Sequence, residues 1–152
     1  MWITPARPED AARLTEIAFV AKRHWGYPNQ WIENWREQLT VTAEFIRSHD
    51  TFLAVVDNQV AGFYALRRKG AMLELVHLWV LPQWMRRGIG RALFRHAVER
   101  AIALGFQKVE IESDPNAEGF YLRMGARRVG ESVQMVEQQR RELPMLMYET
   151  GA

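Results

Sequence analysis

The six residues Arg86-Arg87-Gly88-Ile89-Gly90-Arg91 have types and spacing suited to holding a pyrophosphate. The apolar run before them ends at Pro82 and reads as a strand, and the amphipathic segment after them, to Leu104, reads as a helix. The glycines therefore stand at a helix N-terminus, where backbone N–H groups have no intrahelical acceptor and the helix dipole favours an anion. Glycine lets the backbone approach a bulky group and adopt φ > 0. Arg86, Arg87, Arg91 and Arg95 crowd the same place. Cations are unfavourable at a helix N-terminus unless an anion visits, which weighs against a merely solvated helix end. Other phosphate loops fail on single residues. A dinucleotide fingerprint needs glycine where Leu93 stands, and Gly88-Ile89 cannot open the G-K-S/T of a P-loop.

The elements around this loop bound the architecture. A chain of 152 residues suits one domain, spanning residues 1–152. No apolar run reaches membrane-spanning length and no signal-peptide pattern opens the chain, so a cytoplasmic protein without a membrane partner is expected. With no cysteine, thiolate chemistry is excluded, and no metal is expected. The net charge of +2 is too small, and too concentrated at one loop, to argue for nucleic acid. A short strand opens the chain at residues 2–5. Three helices follow: the first from Pro8 to about Trp25, the second capped by Asn29, the third capped by Thr42 and ending near Ser48. Strands are expected at 51–56, 60–66 and 72–81, then the helix at 88–104, a strand at 108–113 and a short helix at 117–124. Two last strands, 127–133 and 143–148, flank a polar connector at 137–141. This order predicts an α/β sandwich.

Two separated segments carry a resemblance. Leu78, Val80 and Pro82 precede R-R-G-I-G-R, and Asn116 precedes Phe120-Tyr121-Leu122-Arg123-Met124-Gly125-Ala126. With these motifs in this order, the chain resembles the GNAT acyltransferases, which move an acetyl group from acetyl-CoA to an amine. Met85 departs from the pattern, standing where Gln or Arg is usual. The resemblance implies a GNAT fold: a mixed, mostly antiparallel sheet of about seven strands flanked by helices, with a β-bulge in the strand before the loop. It also implies acetyl-CoA as cosubstrate. Its pyrophosphate would lie on the amides of Arg86, Arg87, Gly88, Ile89, Gly90 and Arg91, and its pantetheine arm on the backbone of Leu78 and Val80 beside Trp79. Asn116 would hold the pantetheine or steady the thiolate end, and could instead be a turn or N-cap residue before the helix at Ala117.

Acetyl transfer needs a base for the amine, a donor for the oxyanion and an acid for the departing thiolate. Glu74 is the acid on the strand leading into the loop, and is similar in placement to the catalytic glutamate of several family members; it could instead pair with Arg67 or Arg68. His77 competes, having an ordinary pKa suited to neutral pH, and could instead be packed. On a regular strand the two would face opposite ways, which the implied bulge would alter. The resemblance puts the Tyr121 hydroxyl near the sulfur as the acid, with Phe120 and Leu122 serving the core. On the acceptor side, Trp25 and Tyr27, in a Gly-Pro loop, are candidates to line a pocket for an apolar or cationic amine, whereas Trp31 and Trp35 read as core. The partner expected is a small-molecule or peptide amine, with a homodimer left open. The rival reading is a CoA-binding sensor or assembly module without catalysis, which needs neither Glu74 nor Tyr121.

Overall fold

A computed structural model describes residues 1–151. Seven strands form one sheet in the order β1-β2-β3-β4-β5-β7-β6. They are β1 (Trp2–Pro5), β2 (Asp50–Val56), β3 (Gln59–Lys69), β4 (Met72–Val80), β5 (Lys108–Glu112), β6 (Arg127–Val136) and β7 (Gln139–Glu149). Neighbours are antiparallel except β4 and β5, which run parallel. The helices are α1 (Ala11–Arg23), α2 (Asn29–Asn34), α3 (Arg36–Leu39), α4 (Ala43–Ser48), α5 (Ile89–Ala103) and α6 (Glu118–Arg123). This is the mixed, mostly antiparallel α/β sheet the sequence implied.

Three local expectations change. Pro28, not Asn29, occupies the N-cap of α2, because its extended ψ of 144° leaves Asn29 as the first helical residue. The second helix also breaks at Trp35, giving four helices before β2 instead of three. The connector at 137–141 shrinks to Glu137-Gln138, both with positive φ (46° and 66°), which is a tight hairpin turn. Both flanking strands are longer for it. Thr42 does cap α4, its hydroxyl accepting from the Phe45 N–H at 3.0 Å.

Each sheet face buries its own core. Leu66, Leu73, Leu75, Val109 and Ile111 meet Leu93, Phe94, Ala97 and Ala101 of α5 on one side. Leu53 and Phe63 meet Leu14, Ile17 and Ala18 of α1, with Ile32 and Ile46, on the other. The 3.6-residue stripes of the two long helices are thus what fix them to opposite faces.

Two irregularities open the middle of the sheet. In β3 and β4, Ala65 pairs with His77 but Leu66 pairs with Leu75, so Val76 is an extra, bulged residue. Parallel pairing of β4 with β5 covers only Leu73–Val109 and Glu74–Glu110. Beyond that point the two strands diverge, leaving backbone groups on the facing edges of β4 and β5.

Candidate active site

The divergence leaves two adjoining cavities. One, of about 130 Å³, lies toward the glycine loop and is lined by Leu78, Val80, Met85, Ile111 and Tyr121, with Trp25 at its rim. The other, of about 160 Å³, is lined by Lys22, Trp35, Gln38, His77, Gln134 and Arg141. Val76, Trp79, Glu112 and Asp114 line both, so the gap passes from one side of the sheet toward the other.

At the loop end, Gly88 is the N-cap of α5 with φ of 82°, and Arg86 has φ of 63°. The amides of Gly88, Ile89 and Gly90 have no backbone acceptor among the described residues. The two glycines differ in what constrains them. A Cβ on Gly88 would meet nothing but would sit at an unfavourable φ, whereas one on Gly90 would touch Phe120 at 3.6 Å and Val80 at 3.8 Å in ordinary contact. Arg87 lies over the Trp84 ring at 5.1 Å. A groove of about 610 Å³ between α5 and α6, lined by Arg91, Arg95, Phe120 and Tyr148, runs beside the loop. In strand geometry amides alternate. The Leu81 N–H donates to the Ala61 carbonyl of β3 at 2.8 Å, so the Val80 and Leu78 amides turn the other way, to the gap.

Tyr121 lines the first cavity while 7% exposed, in ring contact with Phe94 and Phe120. Burial raises its hydroxyl well above the ordinary tyrosine range, helped by Asp114, so it stays protonated. Phe120 packs on this core, but Leu122 is exposed and does not, because the short α6 turns it outward.

The bulge at Val76 puts Glu74 and His77 on one face. Their cross-strand partners, Arg67 and Ala65, are alternate residues of β3. They are otherwise unlike. Glu74 accepts from Arg67 Nε at 3.1 Å and Nη2 at 2.8 Å and lines neither cavity. His77 is buried beside Phe45 and Phe63, and its Nδ1 accepts the Trp79 indole N–H at 2.9 Å. Burial, and then the nearby Arg67 charge, lower its pKa to about 4. Glu112 ends β5 at the gap. Ser132 donates to its Oε2 at 2.8 Å, and its Oε1 has no partner among the described residues.

Sequence reasoning missed the polar centre of the second cavity. Asp114, with its side chain 9% exposed, accepts from Lys22 at 2.6 Å, from the Tyr27 hydroxyl at 2.9 Å, from the Asn116 N–H at 2.8 Å and from Asn116 Nδ2 at 3.0 Å. Burial opposes its ionisation, but Lys22 and these donors outweigh that and hold it below the usual carboxylate range. Burial likewise draws Lys22 below the ordinary lysine range, against the pull of Asp114. Tyr27, pushed up to about 12 by burial and by Asp114, accepts from Asn116 Nδ2 at 3.1 Å and from Arg141 Nη2 at 2.8 Å. Asn116 is thereby tied to this centre through its side chain. One signal was available: Lys22 falls one turn after Ala18, inside the apolar stripe of α1. Arg141 gave none, since its stretch reads as a polar loop until the hairpin register is known.

The sequence profile described as acetyltransferase (GNAT) domain matches residues 23–148. The chain belongs to this family. GNAT acetyltransferases use acetyl-CoA, and no helix of this one, among the described residues, is long and apolar enough to cross a membrane. No curated protein sequence matches the chain. Solved structures do match in fold. A GCN5-related N-acetyltransferase from Rhodopseudomonas palustris is 19% identical with a TM-score of 0.81, covering 97% of this chain and 94% of its own. The PaiA N-acetyltransferase of Thermoplasma acidophilum, solved with coenzyme A, is 20% identical with a TM-score of 0.76 over 97% and 98% of the two chains. A GNAT acetyltransferase of Elizabethkingia anophelis with acetyl-CoA bound is 18% identical, with a TM-score of 0.59 over 70% and 79%. The GNAT loop, gap and Tyr121 thus sit in a fold shared with proteins that hold this cosubstrate.

Proposed function

We propose that this GNAT protein acetylates a primary amine by direct attack on acetyl-CoA held in the gap between β4 and β5. The observation that carries this reading is the gap itself, with free strand amides on its β4 edge, the glycine loop and helix N-terminus at its mouth and a protonated tyrosine in its wall. The pyrophosphate lies on the amides of Gly88 to Gly90, among Arg86, Arg87 and Arg91. The pantetheine arm runs along Leu78 and Val80 beside Trp79, and the groove flanked by Arg91 and Arg95 takes the adenosine end. The Val80 N–H donates to the thioester oxygen as it becomes an oxyanion.

The amine nitrogen loses a proton and bonds to the acetyl carbon. As the oxyanion collapses the carbon–sulfur bond breaks, the thiolate takes a proton from the Tyr121 hydroxyl, and the nitrogen gives up the excess proton it still carries, which returns the tyrosinate to its hydroxyl form. For the first proton we favour Glu112 over Glu74 and His77. Glu112 lines both cavities with one free oxygen, whereas Glu74 is engaged by Arg67 outside them. His77 has already committed its Nδ1 lone pair to Trp79, and a pKa of about 4 makes it a weak base near neutral pH. Asn116 acts by positioning, holding Asp114 and Tyr27. Trp25 borders the cosubstrate cavity and Tyr27 the acceptor side.

Thiol release from acetyl-CoA across a panel of primary amines tests this. Release that needs both an amine and Tyr121 supports it. Tight CoA binding without release to any amine supports instead a CoA-binding module.

A further inference from the structure

The acceptor cavity contains two largely buried cations; Lys22 hydrogen-bonds a carboxylate, and Arg141 makes only a long ion pair with the same one. Lys22 and Arg141 both line it with side chains 11% exposed, around the single buried carboxylate of Asp114. A carboxylate offers about four lone-pair sites. Those of Asp114 are taken by Lys22, the Tyr27 hydroxyl, and the N–H and Nδ2 of Asn116. Arg141 is left at 3.9 Å from Asp114, beyond hydrogen-bond reach, and donates only to the Tyr27 hydroxyl at 2.8 Å. Its other N–H groups have no partner among the described residues and are open to the cavity.

This guanidinium is also fixed in place. It lies 4.9 Å from the Tyr27 and Trp35 ring centroids and 5.8 Å from that of Trp31. Aromatic faces on a planar guanidinium set its orientation before any ligand arrives, and an arginine so held suits paired hydrogen bonding to a carboxylate. With no anion hydrogen-bonded to it, this guanidinium keeps donors free to receive a carboxylate. On the same cavity Glu112 offers a free carboxylate oxygen to an ammonium group.

We propose that the acceptor is a small zwitterion, an amino acid whose carboxylate is bound by Arg141 while its ammonium group faces Glu112; this rests on the acetyl-transfer reading above. The cavity of about 160 Å³ has room for a single amino acid. Trp31 and Trp35, read from sequence as plain core, thereby acquire a part in specificity.

The test compares each α-amino acid with its own primary amide, and β-alanine and γ-aminobutyrate with theirs, as acceptors in thiol release. Each pair differs only in the carboxylate. Acids are expected to exceed amides in kcat/KM by about 10- to 100-fold, the size expected for a charge-assisted hydrogen bond. R141Q should bring that ratio to within about threefold of one, and R141K should restore part of it. Comparable turnover of acids and amides, or a ratio unchanged in R141Q, overturns the proposal while leaving acetyl transfer standing. If no amine releases thiol, the acetyl-transfer reading fails instead. The arginine site is then read by calorimetry with N-acetylglycine against N-acetylglycinamide in the presence of CoA. Equal binding of the two, or equal binding by R141Q, overturns it.

Discussion

The two sides of the β4–β5 gap are built differently. The proposed cosubstrate side is made mainly of backbone: the helix-end amides of Gly88 to Gly90 and the strand amides of Leu78 and Val80, with Tyr121 added from α6. The proposed acceptor side is made of side chains drawn from four places far apart in sequence: Lys22 and Tyr27 near α1, His77 and Trp79 on β4, Glu112 to Asn116 from the last residue of β5 onward, and Arg141 on β7. A backbone site is encoded by a few contiguous residues that permit a conformation. A side-chain site exists only once register brings distant residues together. One chain can thus keep a common cosubstrate site while its acceptor site is set independently.

The contrast is broken most directly at the loop. Gly88→Asp should abolish CoA binding in calorimetry, because it forces a side chain to φ of 82° and adds an anion where the phosphates lie. Gly88→Ala and Gly90→Ala sharpen the point. The first meets a forbidden conformation and the second only ordinary contacts with Phe120 and Val80, so the first should weaken CoA binding more. Equal, small losses in both would mean that the backbone of this loop does not carry the site.

Next in size is Tyr121→Phe, which should lower kcat by about 10²–10⁴-fold, the range for general acid catalysis, with CoA affinity little changed. The ring stays in contact with Phe94 and Phe120, so folding is preserved. Wild-type turnover in this variant would reduce Tyr121 to packing and favour the non-catalytic reading.

These two sites were legible in the sequence for a physical reason. Glycine spacing, a strand-ending proline and an amphipathic helix are local patterns that mark the loop, and the family resemblance implied the fold and the place proposed for Tyr121. Glu74 and His77 were visible as residue types, but their surroundings were not. The Arg67 partner of Glu74 lies across a hairpin whose register shifts at Val76, and the rings that bury His77, Phe45 and Phe63, come from α4 and β3. Arg141 was hidden most completely, because the two positive-φ residues Glu137 and Gln138 convert an apparent loop into strand.

The base sharpens the comparison further. Glu112→Gln should lower kcat/KM by about 10–10³-fold, while Glu74→Gln should stay within about threefold of wild type. Glu74→Gln removes an ion pair with Arg67 whose partners are 22% and 45% exposed, and such pairs contribute about 0–1 kcal/mol, so it serves as the stability control. A loss of that size in Glu74→Gln alone would return the base to β4 and place a chemical group outside both cavities.

The smallest effect concerns His77, and it is read in stability. The imidazole is buried and neutral, with its pKa lowered from 6.5 to about 4 by burial and by Arg67. Unfolding frees it to bind a proton at its ordinary pKa, so between pH 6.5 and 4 the unfolded chain holds more protons than the folded one. Stability from this residue is therefore fully present above pH 6.5, is lost as pH falls toward 4, and changes no further below that. The full span is about 2–4 kcal/mol at 1.36 kcal/mol per pKa unit. His77→Gln has no such proton to gain, and urea unfolding at pH 7.5 and pH 4.5 should show it losing about 2–3 kcal/mol less than wild type over that interval. Its effect on kcat/KM should stay within about threefold, since the Trp79 indole can donate to the glutamine carbonyl. Should both proteins lose stability equally, His77 takes up protons in the folded state as easily as in water. It would then be a titrating group on the acceptor wall, and the competition with Glu112 for the role of base would reopen on that observation.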